Sequence, residues 1–168
     1  MPEDASLNAL LRDLAQRYAA VAQDTLGENL TSVILFGSVA RSEARADSDI
    51  DLLIICRQLP SGIFRRQEYL AAVRERLQPD LERLWEQGCL TDFTEIIKTE
   101  AEAKQTFPLY LDLTEEAILL FDRNGFFAHI LQRLRERLQA LGAERKQLGR
   151  LRYWDLKPDF QPGEAITL

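Results

Sequence analysis

The sequence predicts an α/β fold of the α+β kind: a small mixed sheet with an antiparallel first pair of strands, covered by helices and followed by an extra C-terminal helix and tail. Three observations lead there. Val33 to Phe36 and Leu52 to Ile55 are short apolar runs rich in β-formers and bounded by turn residues, the pattern of buried strands. Long segments with apolar residues at helical spacing stand on either side of them. Polar residues gather where the runs end, with Gly37-Ser38 after the first and Asp49-Ile50-Asp51 at the start of the second.

Taken in order, Asp4 to Leu26 places Leu7, Leu10, Leu11, Leu14, Tyr18, Val21 and Ala22 on one helical face, with Asp4 or Ser6 as cap and Gly27 as stop. The first strand follows, and Ser38 stands where an N-cap would open a short helix through Ser42. Were the two strands parallel, Phe36-Gly37-Ser38 and Asp49-Ile50-Asp51 would lie a strand length apart. Antiparallel strands bring both to one sheet edge, and the short connection can close. Arg57 to Gly62 reads as a turn. Phe64 to Glu86 is helical in pattern, with Phe64, Tyr69, Leu70, Val73, Leu77, Leu81, Leu84 and Trp85 facing the sheet and a break expected at Pro79. Leu90 to Thr99 reads as a third strand and Thr99 to Ala103 as a capped turn of helix. Phe107-Pro108 opens a helix toward Leu120, although Ala117 to Phe121 reads equally well as strand. After the turn Asp122-Arg123-Asn124-Gly125, Phe126 to Leu141 is an amphipathic helix carrying the lone His129, read as structural. The tail from Tyr153 to Glu164 is too aromatic for disorder and is expected to fold back on the domain or on a partner.

The chemistry concentrates between Ser32 and Cys56. Side chains alternate along a strand, so Asp49 and Asp51 project from one face while Ile50 and Leu52 point to the other. Two carboxylates about 4 Å apart repel by roughly 4 kcal/mol at an effective dielectric near 20, so such a pair is spread apart, protonated or neutralised by a cation. Hard oxygen ligands without nearby Cys or His suit Mg²⁺ or Mn²⁺ rather than zinc. Taken alone, an Asp-x-Asp carries little information. Gly37 and Ser38 add to it, because glycine admits close backbone approach and a helix start offers unpaired N–H groups to an anion. A phosphate is the expected guest.

The combination Leu35-Phe36-Gly37-Ser38-Val39-Ala40-Arg41, then ten residues from Ser38 to Asp49 that close on Ser48-Asp49-Ile50-Asp51-Leu52-Leu53-Ile54, resembles the signature of the DNA polymerase β-like nucleotidyltransferase superfamily, most of all its minimal nucleotidyltransferase branch. The resemblance implies a nucleotidyltransferase domain over residues 1–125, with 126–168 packed on the same domain. It implies Asp49 and Asp51 as metal ligands, and Gly37, Ser38, Arg41 and Ser48 at a nucleoside triphosphate such as ATP. It also implies a third acid on the neighbouring strand. Asp92 and Glu95 are both candidates: Asp92 shares a face with Thr94, Ile96 and Lys98, whereas Glu95-Ile96-Ile97 fits the family's habit of an acid before apolar residues. In the minimal branch the acceptor is a tyrosine on a HEPN-type toxin, to which AMP is attached. Two other readings stay open: transfer to a small hydroxyl compound, and a binding module of the same fold that neutralises a partner by docking alone.

The whole chain bounds these readings. Its 168 residues fit one domain, large enough to bury about 70% of the surface exposed when unfolded. The net charge of −6, from 27 acidic against 21 basic side chains, argues against binding nucleic acid through bulk electrostatics, and so against a polymerase role. Cys56 and Cys89 lack metal-ligand spacing, the opening Met-Pro-Glu-Asp is unlike an export signal, and no apolar run reaches the roughly 18 residues of a membrane span. A cytoplasmic protein is expected, partnered by a nucleoside triphosphate, a HEPN-type protein or a second copy of itself. Seven basic residues between Arg133 and Arg152, against Glu136 and Glu144 alone, follow an acidic stretch from Glu100 to Asp122. They read as a solvated face or as a dock for an acidic partner or a triphosphate.

Overall fold

The computed structural model describes residues 4–149, 151–161 and 163–168. The opening Met1-Pro2-Glu3, Arg150 within the basic stretch and Pro162 in the tail lie outside the described residues. Four strands, β1 (Leu30–Phe36), β2 (Ile50–Cys56), β3 (Phe93–Thr99) and β4 (Ile118–Asp122), form one sheet in the order β3-β2-β1-β4. β1 pairs antiparallel with β2 and with β4, and β2 pairs parallel with β3, so the sheet is mixed and its first pair antiparallel.

Helices cover both faces, which explains why the central strands read as unbroken apolar runs. On one face Val33, Leu35, Ile50, Leu52, Ile54 and Phe93 pack under α1 (Asp4–Leu26) and α4 (Ala71–Glu86), where Leu11, Tyr18, Val73 and Leu77 are buried. On the other, Ile34, Leu53 and Ile55 pack under α6 (Leu109–Glu116) and α7 (Phe126–Leu141) through Tyr110, Leu113, Phe127, Leu131 and Leu134. Apolar residues of both parities therefore need cover, and functional side chains are left to the sheet's ends.

The helical segment after β2 departs from its expected form in two ways. It divides at Leu70 into α3 (Ile63–Tyr69) and α4, while Pro79 lies inside α4. An interior proline costs about 3 kcal/mol, and the buried row Val73, Leu77, Leu81 and Leu84 on both sides of it offsets that cost. Phe64, expected to face the sheet, is 83% exposed, because α3 leans off the sheet and buries none of its residues. The short α5 (Glu100–Ala103) has the expected cap: Glu102 N–H donates to Thr99 Oγ1 and the Thr99 amide donates to Glu102. The stretch from Ala117 resolves as strand, with Ala117 ending α6 and β4 (Ile118–Asp122) lying beside β1. The end of the basic stretch and the start of the tail form a hairpin, β5 (Glu144–Leu148) and β6 (Leu151–Asp155), and Trp154 Nε1 donates to Asp112 Oδ1 at 3.1 Å, docking it on α6.

Asp122 ties β4 to α7 and to the sheet. Its carboxylate accepts from Ser32 Oγ at 2.6 Å and from the Phe127 and Ala128 amides, both at 2.9 Å, taking two of the free N–H groups that open α7. Asp122→Ala removes all three bonds and is expected to destabilise the protein by about 2 kcal/mol, near the upper end for lost helix caps; urea denaturation measures it, and an unchanged midpoint would refute the role.

Candidate active site

The site is built where β1 ends and β2 begins. Register places Phe36 opposite Asp51, so the chain turns out of β1 directly beside that carboxylate. Gly37 makes the turn with φ +72°, a conformation that L side chains rarely adopt. It is also the only residue that fits, since a Cβ at this position would stand 2.0 Å from Asp51 Oδ2 and 2.9 Å from its Cγ. Backbone conformation and space thus demand glycine independently, and the reason for the second demand is the carboxylate itself.

The turn runs into α2 (Gly37–Ala40), whose N-cap is the extended Phe36 without a side-chain cap bond. Ser38 therefore does not cap this helix, as its spacing had suggested. It lies half-buried in the first turn, and its carbonyl accepts from the Glu43 amide at 2.8 Å. The far end of α2 is held from α1: Arg12 donates through Nε to Val39 O at 3.1 Å and through Nη2 to Ala40 O at 2.6 Å and Ser42 Oγ at 2.8 Å. Asn8 Oδ1 accepts from the Ala44 amide. Nothing in the sequence near Gly37 announces these two residues, which lie on a different helix and act over a long sequence separation.

Asp51 is half-buried and Asp49 exposed. Burial, then the charge of Asp49, raise the Asp51 pKa above the usual carboxylate range, while the charge of Arg41 opposes the rise. Thr94, the register partner of Asp51 on β3, donates from Oγ1 to Asp49 Oδ2 at 3.4 Å. Two carboxylates and a hydroxyl make an all-oxygen donor set, and ionised Asp51 is electrostatically stressed. That set fits Mg²⁺ or Mn²⁺.

The two third-acid candidates fall in different places. Glu95 points to the opposite face of the sheet, with a side chain 4% exposed; it is ion-paired with Arg74 and accepts from Tyr18 Oη at 3.0 Å. It thus does not face Asp49 and Asp51. Asp92 is exposed at the foot of β3, on the parity of Thr94; its carbonyl accepts from the Ile50 amide at 2.8 Å and its Oδ1 from the Phe93 amide. Among the described residues no three His, Cys, Asp or Glu side chains converge as a metal site.

Ser48 faces inward on its own loop: its hydroxyl accepts from the Arg45 amide at 2.9 Å and its amide donates to Arg45 O. Arg41 is engaged by Glu43 at 2.7 Å and Glu116 at 3.0 Å. The hairpin joins this network, with Arg152 pairing with Glu43 at 2.7 Å and Arg145 with Glu116. Part of the basic stretch read as a solvated face is therefore spent in ion pairs around a cavity of about 430 Å³ beside the motif helix.

The chain matches the nucleotidyltransferase domain family over residues 20–120. It is 27% identical to the "Putative protein adenylyltransferase" of Methanocaldococcus jannaschii across 75% of this chain and 82% of that protein. A crystal structure of a toxin–antitoxin with AMP-PNP is 16% identical, with a TM-score of 0.44 over 75% of this chain and 93% of that one. A tri-AMPylated Shewanella oneidensis HEPN toxin in complex with an MNT antitoxin is 14% identical, with a TM-score of 0.40 over 77% and 93%.

Two outcomes follow from the contact between Gly37 and Asp51. Gly37→Ala is expected to lower stability by at least about 1–2 kcal/mol, the cost of a left-handed L-residue, with the Asp51 clash added; a urea midpoint equal to the parent's would show that the close approach is not real. Because the folded state raises the Asp51 pKa, it favours the protonated form, so that contribution is present at low pH and lost as pH rises through the raised pKa. Metal-free Asp51→Asn should accordingly melt above the parent at pH 7, and the gap should close on acidification; a lower melting temperature at pH 7 would contradict the assigned strain.

Proposed function

Given that the chain belongs to the nucleotidyltransferase domain family, we propose that it transfers AMP from ATP to a hydroxyl on a protein acceptor, using a divalent cation held by Asp49 and Asp51. The observation that carries this reading is the packing of the Asp51 carboxylate against the Gly37 turn. It makes the acid pair and the phosphate-binding backbone one site instead of two. The choice of AMP and of a protein acceptor takes its support from the archaeal relative described as a protein adenylyltransferase. A tyrosine of a HEPN-type toxin is the acceptor that the sequence resemblance implies.

In this reading Gly37 lets the triphosphate approach the backbone, and the α2 amides with the Ser38 hydroxyl hold its outer phosphates. Asp49 and Asp51 hold Mg²⁺ or Mn²⁺, with Thr94 orienting Asp49 through its hydroxyl. When bound, the cation supplies charge neutralisation at the phosphates and a template for in-line displacement. The acceptor oxygen forms the new bond to the α-phosphorus, the bond to pyrophosphate breaks, and the acceptor's proton passes to Asp92, the exposed carboxylate on the same parity as Thr94. Arg41 adds positive charge beside Asp51 while Glu43 and Glu116 limit its reach. Ser48 shapes the loop that presents Asp49.

A specific observation favours one rival. Where β3 runs beside Asp51 it offers a threonine, and the nearby Glu95 is committed to Arg74 on the other face. A site with two acids could bind nucleotide yet turn over poorly, and the protein would then neutralise its partner by docking.

Co-expression with a HEPN-type partner, followed by intact-mass measurement, separates the two. The expected result is a mass increment of AMP on the partner that needs Mg²⁺ or Mn²⁺, reduced at least about a hundredfold in Asp49→Asn and Asp51→Asn, in line with the loss of one transition-state charge partner. ATP binding without any increment would favour docking, and full activity in Asp51→Asn would reject the site.

A further inference from the structure

A second concave site lies at the opposite end of the sheet, beyond the start of β1 and the ends of β2 and β3. It is lined there by Thr31, Arg57 and Glu100, roughly 20 Å along the strands from Gly37. The cavity, of about 540 Å³, is closed on its other side by Lys104, Arg123, Phe126, His129, Ile130 and Arg133. It shares Lys104, Ile130 and Arg133 with a neighbouring cavity of about 650 Å³, which Tyr110 and Arg137 also line and which Thr167 and Leu168 close at the far end. The two form one groove between α5 and α7.

Its charge runs against that of the chain. The groove presents Arg57, Lys104, Arg123, Arg133 and Arg137 against the carboxylates of Glu100 and Glu136, in a molecule of net charge −6. Glu100 is occupied, accepting from Thr31 Oγ1 at 2.7 Å, and Arg57 and Arg123 lean outward to Glu28. Lys104 and Arg133 stand at the junction of the two cavities and, among the described residues, make no ion pair; Lys104 Nζ rests 5.8 Å from the centre of the Phe126 ring. Tyr110 is fully buried, and among the described residues its hydroxyl has no hydrogen-bond partner. Burial holds the Tyr110 pKa at about 12, so that hydroxyl keeps its proton and can donate.

Uncompensated cations in a concavity concentrate anions, while Phe126 and Ile130 offer an apolar wall. We propose that this groove binds a small organic polyphosphate of nucleotide size. Its phosphates sit on Lys104 and Arg133, and its apolar body lies against Phe126 and Ile130. The cavity volume falls within the roughly 300–1,000 Å³ typical of small-ligand sites. The Glu43, Asp112 and Glu116 carboxylates near the motif helix make the cavity there balanced in charge, so the groove is the more cationic of the two.

The proposal does not depend on the transfer reaction, and the test keeps the two apart by working without divalent metal. ADP, inorganic pyrophosphate and a glutamate-rich peptide are titrated by calorimetry, in EDTA, into the parent, Lys104→Gln/Arg133→Gln and Asp49→Asn/Asp51→Asn proteins. The parent should bind ADP more tightly than pyrophosphate, because only ADP reaches the apolar wall. The groove variant should bind ADP about tenfold or more weakly, the loss of one to two charge-assisted hydrogen bonds, with circular dichroism and melting temperature unchanged. The acid variant should bind as the parent does. No ADP binding in EDTA, equal binding by the groove variant, or tighter binding of a glutamate-rich peptide than of ADP would each overturn the assignment.

Discussion

One contact governs the site: a carboxylate lies against the α-carbon of a glycine that already occupies a left-handed turn. A carboxylate so placed is partly desolvated and has a second acid beside it, and for this reason its ionised form is unfavourable in the protein alone. The fold tolerates that strain because the strands around it are buried on both faces and cannot shift register without moving whole apolar rows. A rigid sheet thus stabilises an arrangement that a flexible loop would relax. The site is preorganised by packing far from it.

The second determinant is the set of long side chains that pin the motif helix. α2 is only four residues long and could not persist on its own. Arg12 holds its carbonyl end from α1, and Arg41 leaves it to reach Glu43 and Glu116. Through Glu116 and Glu43 the same network takes in Arg145 and Arg152 of the C-terminal hairpin. Exposed pairs of this kind contribute little singly. Here several share partners, and Glu116 is largely buried among them, so immobilising one side chain lowers the entropy lost by the next. The C-terminal hairpin is thereby coupled to the Gly37 turn.

Much of this was legible from the sequence, for a physical reason. The antiparallel first pair followed from asking which strand direction lets Gly37 and Asp51 meet, and the helices followed from their period. What stayed hidden depends on contacts between distant segments. Local propensity overstated Pro79 as a breaker, because the stripe Val73 to Leu84 continues through it. The helical stripe overextended to Phe64, where the chain has already left the sheet. Whether β3 gives Asp92 or Glu95 to the site could not be settled by composition, since alternation leaves both parities open until a partner is known. Arg74 and Tyr18, two residues on other helices, decide the fate of Glu95. The hairpin was similarly silent, its sequence reading as a charged stretch until Trp154 and Asp112 are seen together.

The two ends of the sheet carry opposite electrostatic characters, and the strand pattern explains the division. β1 and β2 are apolar through their centres, so charge can enter only where they begin and end. At the end holding Asp49 and Asp51, acids crowd, and Arg41, Arg145 and Arg152 are drawn into ion pairs. At the other, cations outnumber acids, and Lys104, Arg133 and Arg137 have no ion-pair partner among the described residues. A cation bound at the first end and an anion at the second would each relieve a local imbalance that folding leaves in place. A domain stabilised by its apolar sheet can hold both imbalances at once, because neither has to be resolved for the core to form.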